Sequence, residues 1–225
     1  MDENENLNQN DNNNDLKNET INTVKDVKET VKNINIKEEA QKSKSYLKEL
    51  MQDPIGKIKS IAEDKENTHF KTAIFAIIIW TVVALIDAIT VYNTTFSYMM
   101  KSIVSILKLT ITPILSILVL SIVVFVMNKE NKKSLNTIIT TIVTVKLPVI
   151  LAEIIGLLSL ISKSAYKITN PISGFLGIIS TVLVFFGIKS LFGEEDTNKA
   201  IKKFALVMGV FYIVKFVLTF LEIYI

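Results

Sequence analysis

Residues 136–161 are apolar over a length that can cross a bilayer, yet they hold Lys146, Pro148 and Glu153 in their interior. A hydrocarbon layer roughly 30 Å thick needs about 20 apolar residues in helical form. On an insertion scale the two charges together cost about 6 kcal/mol, while the 15 Ile, Leu and Val residues between Ile138 and Ile161 return roughly 5 to 9 kcal/mol. A segment so close to balance inserts best beside other spans that shelter its charged face. The sequence therefore predicts a helical bundle with 136–161 at its middle and the charges turned inward.

Four more segments of similar character lie at about 72–92, 103–128, 171–191 and 204–224. The expected fold class is an all-α membrane protein: a five-transmembrane-helix bundle behind a disordered to partly helical cytoplasmic N-terminal tail. Lysines near the span ends orient it. Lys57, Lys59, Lys65, Lys71, Lys129, Lys132, Lys133, Lys189, Lys199, Lys202 and Lys203 fall on one side, and only Lys101, Lys163 and Lys167 on the other. Positive loops stay inside, so the N-terminus is expected in the cytoplasm and the C-terminus outside, in the plasma membrane. Tyr92, Tyr98, Tyr166 and Tyr224 then fall at the outer boundary, where an aromatic belt belongs. With no charged-then-apolar leader, the first span is expected to serve as a retained signal anchor.

Three regions follow: a tail over 1–45, amphipathic juxtamembrane helices over 46–71, and the five-span domain over 72–225. Residues 1–15 contain seven Asn and almost nothing apolar, so they are expected to be disordered. Beyond them Ile21, Val24, Val27, Val31 and Ile34 recur at helical spacing. That stripe is a marginal helix or coiled-coil strand, either a plain tether or a docking and self-association surface. Tyr46, Leu47, Leu50 and Met51 form another apolar face. Asp53 then caps a second short helix with Pro54 at its first position. Its Ile55, Ile58, Ile61 and Ala62 oppose Lys57, Lys59, Glu63 and Lys65, a pattern that suits a helix lying among lipid headgroups.

Charge divides along the chain: 12 Lys against 15 acids in 1–71, and 13 Lys against 7 acids in 72–225. The overall +3 is an average of unlike parts. Arg is absent, so a nucleic-acid partner is not expected. Cys is absent too, which removes disulfides, thiolate metal sites and Cys nucleophiles. His69, the one histidine, stands at the membrane junction. No metal-binding His/Glu pair, nucleophile elbow or phosphate loop is present, so neither catalysis nor a cofactor is expected.

Within the spans, Asp87 and Lys108 come out at matching depth in the outer third, and Lys146 and Lys215 near the midplane. Glu153 and Glu222 each follow a lysine by seven residues, two helical turns on the same face. These groups are expected either to pair as bundle-locking ions, Asp87 with Lys108 and Lys146 with Glu153 and Lys215, or to line a pathway for an ion or small polar solute. Pro113 and Pro148 free the carbonyls of Leu109 and Thr144, with Thr110, Thr112 and Thr141 placed to compensate. Small residues at every fourth place, Ala84/Ala88, Ala152/Gly156, Ser173/Gly177/Thr181 and Ala205/Gly209, mark close helix contacts within the chain or between copies of it.

The polar N-terminus, Asp53-Pro54-Ile55-Gly56 followed by Ile58 and Ile61, five spans with tight loops, and Leu147-Pro148 inside the third resemble the Yip family. These are the Ypt/Rab-interacting five-pass membrane proteins, and the likeness is to their bacterial branch over 46–225. The resemblance implies a non-enzymatic role in membrane organisation or trafficking-like scaffolding. The Asp-Leu-Tyr-Gly-Pro box of the eukaryotic relatives is missing, so Rab binding is not implied. The expected partners are the lipid bilayer, a protein at the N-terminal region and, as an alternative, a second copy of the chain. The competing function is a small transporter or channel subunit built on Asp87, Lys146, Glu153 and Lys215.

Overall fold

The computed structural model describes residues 3–92, 99–128, 131–160 and 162–221. Tyr98, Glu222 and Tyr224 lie outside them. The helices are α1 (Glu3–Lys32), α2 (Ile36–Gln52), α3 (Pro54–Glu63), α4 (Phe70–Tyr92), α5 (Met99–Met127), α6 (Leu135–Gly156), α7 (Lys163–Leu191) and α8 (Thr197–Phe220). No strand occurs among the described residues. Five segments are long and apolar enough to cross a membrane: Phe70–Thr90, Ile103–Met127, Leu135–Leu160, Ser164–Leu191 and Thr197–Phe220. Their outer faces carry large apolar side chains; Phe216 is 70% and Phe220 80% exposed, surfaces that hydrocarbon covers and water does not. The chain is a multi-pass membrane protein.

The last two spans begin seven residues earlier than their apolar runs indicate. Pro171 sits inside α7 and does not start it, and Asp196 caps α8 by accepting from the amides of Asn198 and Lys199. Around α6 stand α4, α5 and α7, with α8 outside against α5 and α7. Burial reports the same order: of an 18-residue apolar stretch within each span, 61% is buried in the third but only 11% in the fifth. The marginal segment is indeed the centre, because burial on every side is what its charges and proline require.

The α6–α7 seam is tight and repeats every seven residues, as in left-handed antiparallel packing. Ser173 Oγ donates to the Ala152 carbonyl (3.3 Å), Ser180 Oγ to the Val145 carbonyl (2.9 Å), and Gly187 lies against Val145 and Thr141. A Cβ on Gly187 would sit 2.9 Å from Val145 Cγ1, so the backbones meet here because glycine permits it. The four-residue reading of Ser173/Gly177/Thr181 needs correcting. Thr181 faces outward and nothing approaches the Gly177 position, because α7 crosses α6 on a heptad. Gly156 and Gly209 are likewise open, whereas Ala88 and Ala152 are buried.

At the end of the bundle where α4 begins, here the near end, α1–α3 pack onto the spans. Asp53 closes α2 and caps α3, accepting from the Gly56 amide at 2.9 Å. A Cβ at Gly56 would fall 2.0 Å from Asp53 Oδ2, so glycine lets the carboxylate fold back this far over the first turn. Ile58, Ile61 and Ala62 are sealed by α6 and α7, not by lipid headgroups. The amphipathic face that suits a membrane surface is therefore spent on protein, and Ile55 alone of its four apolar residues stays exposed.

Candidate functional site

Two groups of polar residues stand out: a seam joining α1–α3 to the spans, and the charges inside the spans. In the seam, Tyr46 of α2 is buried and its hydroxyl donates to Thr144 Oγ1 of α6, whose own proton goes to the Thr140 carbonyl at 2.7 Å. Burial pushes the Tyr46 phenol well above its usual range despite that bond, and the Glu49 carboxylate adds to the rise. Lys57 lies 4.9 Å over the Tyr46 ring, pairs with Glu49 at 2.6 Å and approaches His69 Nε2 at 3.5 Å. Burial first, then the Lys57 charge, lower the His69 pKa from 6.5, with Asp64 and Glu49 opposing. His69 is thus built into a network joining α2, α3 and the start of α4, an involvement its isolation in the sequence did not signal.

Further anchors hold the same seam. Glu39, 4% exposed, accepts from Thr72 Oγ1 at 3.2 Å and meets Lys42 at 3.3 Å. Asn136 Nδ2 donates to Asp26 of α1 at 2.7 Å. Asn67, with φ +55°, accepts from the hydroxyls of Ser134 (3.2 Å) and Thr137 (2.9 Å). Burial opposes ionisation of Asp64, but hydrogen bonds from the Thr68 side chain and the Thr68 and Glu66 amides outweigh it and hold the carboxyl below its usual range. Between α2, α4 and α6 these anchors leave an apolar cavity of about 80 Å³, bordered by Tyr46 and Thr144 at one end and by Ile79 and Ile154 deeper in.

Compared with known protein families, curated proteins and solved structures, the chain matches none of them.

The charges inside the spans are arranged differently from the expected pairs. Among the described residues, Asp87, Lys108, Lys146 and Glu153 form no ion pair; the pairs present lie in α2, α3 and the α7–α8 corner, such as Lys203–Glu194 at 3.0 Å. Glu153 instead accepts from the indole N–H of Trp80, a buried residue of α4. Two turns separate Lys146 from Glu153 by about 10.5 Å along the axis. Trp80, the only tryptophan, was a partner available in the sequence but not one its position revealed.

Helix register sets the height of Lys146 along α4. Thr144 stands level with Tyr46, which packs on His69 just before α4, and Glu153 stands level with Trp80. Trp80 is about 15 Å into α4, so Lys146 stands level with a point roughly 5 Å into that helix. Counting from each apolar run assumes that all spans start at one depth. Here the first turns of α6 extend beyond the start of α4 and are wrapped by α1–α3, which is why Thr137, Thr140, Thr141 and Thr144 are all buried.

At the prolines, Thr112 Oγ1 donates to the Lys108 carbonyl and Thr110 Oγ1 to that of Ile106, both at 2.8 Å. Neither hydroxyl serves Leu109, the carbonyl that Pro113 frees. Thr141 caps Thr137 in the same way, and Ser180 of α7 donates to the Val145 carbonyl, not to that of Thr144, which Pro148 frees.

Proposed function

We propose that this protein is a non-enzymatic membrane scaffold or adaptor, with its N-terminus in the cytoplasm and its C-terminus outside the plasma membrane. The observation that carries this reading is the division of α1 into two faces. Thr23, Val27, Thr30 and, just beyond the helix, Ile34 turn toward the bundle, while Ile21, Val24 and Val31 are 55%, 61% and 50% exposed. An apolar stripe held outward by a platform locked to five spans is a preformed seat for the apolar face of a partner helix. The Yip-like order of an Asp-Pro-capped helix ahead of five spans supports the same role.

Photoreactive residues placed at Ile21 and Val24 in intact membranes are expected to give discrete intermolecular adducts, with Val27 giving intramolecular ones. Only intramolecular adducts at all three would refute the scaffold, and reporter tags found in one compartment would refute the topology. A small transporter or channel subunit is the second reading, favoured by Asp87, Lys108, Lys146 and Glu153 standing in no ion pair among the described residues. Lys146→Met abolishes an ion-coupled flux under that reading; under the scaffold it lowers the folded amount and leaves the α1 adducts in place.

A further inference from the structure

On α1 the charges are sorted by face. At about 100° per residue, Ile21, Val24, Lys28 and Val31 fall on one stripe with the spacing of a coiled-coil seam, Lys28 standing where that seam would carry an apolar residue. Lys17 continues the stripe, and Lys25 and Lys32 border it. All four lysines are exposed and stand in no ion pair among the described residues. The acids of this stretch turn elsewhere. Asp26 accepts from Asn136, and Asp26, Glu29, Thr30 and Asn33 line a polar cleft against Phe70 and Lys71 at the start of α4. The stripe therefore lies on the side of α1 opposite the point where the first span begins.

We propose that this face of α1 binds an acidic amphipathic helix of another protein, with one carboxylate opposite Lys28 and others along the border formed by Lys25 and Lys32. The inference rests on the scaffold reading and adds the chemistry of its partner. A second copy of α1 does not suit the face. Laid parallel and in register it sets Lys28 against Lys28, and laid antiparallel it sets the Lys25 and Lys32 border against itself. Like charges so placed reject a partner. An anionic bilayer attracts the same lysines, but the stripe points away from the first turn of α4, where the chain enters hydrocarbon. A helix with an apolar seam and acids beside it meets the valines, the isoleucine and the lysines together.

The test titrates the full chain in phosphatidylcholine nanodiscs with a synthetic helix of about three heptads, leucine at the seam positions and glutamate beside them. A twin helix carries glutamine in place of glutamate, which has nearly the same helix propensity, so the two differ in charge alone. The glutamate helix is expected to bind about tenfold more tightly at low salt, from three surface ion pairs of ordinary strength, and its advantage to shrink as salt rises. Lys25→Gln, Lys28→Gln and Lys32→Gln together, all at exposed positions, are expected to erase that advantage and leave binding of the glutamine twin in place. Equal affinity for the twins, or an advantage untouched by the lysine changes, would overturn the proposal. So would photo-adducts from Val24 in intact membranes that run to lipid or to a second copy of the chain. Adducts to another protein whose yield is unchanged in the lysine variant would leave the scaffold standing and remove the acidic partner; a lack of any intermolecular adduct would remove both.

Discussion

Gly187→Ala is a small change with a defined consequence. The added methyl falls 2.9 Å from Val145 Cγ1, and its next neighbour, Thr141 Cγ2, is at an ordinary 3.5 Å. Valine in a helix has essentially one χ1 rotamer, so Val145, which is fully buried, does not swing aside and α7 must move off α6. Overpacking of this kind costs about 1–3 kcal/mol, offset by up to about 1 kcal/mol from replacing a helical glycine. Val145→Ala alone is expected to cost about 2 kcal/mol through the space it leaves. Combined, the two changes relieve the collision and fill part of the gap, so the double variant is expected to be about 1–3 kcal/mol more stable than the sum of the singles. Gly177→Ala, with open space around it, is expected to be neutral or stabilising by up to about 1 kcal/mol. Reversible unfolding of the four variants in mixed micelles reads these differences. Additivity of the pair within about 0.5 kcal/mol would refute the close approach of α6 and α7 at this point.

Tyr46→Phe leaves Thr144 bonded to Thr140 and removes only the link from α2, an expected loss of about 0.5–1.5 kcal/mol. It is expected to show as faster amide exchange across Ile36–Gln52, with unchanged protection in α7. His69 supplies a pH dependence. Its pKa is depressed in the folded chain, so the unfolded chain binds the proton first, and the stability His69 contributes is present above pH 6.5 and declines as pH falls through that value. Proteolysis of the α2–α3 region is therefore expected to accelerate on acidification below about 6.5, and His69→Gln to flatten that slope. A slope unchanged by the substitution would assign the effect elsewhere.

The resemblance to Yip proteins and the orientation of the ends were legible as expectations only. Five spans, by contrast, followed from the residues themselves, because a stretch of about 20 apolar residues has few other ways to satisfy its backbone. The Asp53 cap with Pro54 was equally local: cap, proline and Gly56 lie within four residues, and their geometry needs no partner from afar. Central placement of 136–161 was readable from its own energetic balance. What remained hidden was relative. Which turn of α4 Lys146 stands beside depends on how far α6 slides along α4, and no single segment encodes an offset between two. The heptad of Ser173, Ser180 and Gly187 became distinct from the four-residue pattern only when α6 was laid against α7. Pairing of Glu153 with Trp80 and not with Lys146, and the turning of α3 onto α6 and α7 and not onto lipid, were decided the same way. Contacts between distant parts of a chain depend on tilt and depth, which the tertiary structure alone fixes; hydrophobic length and capping depend on neighbours in sequence, which the sequence states outright.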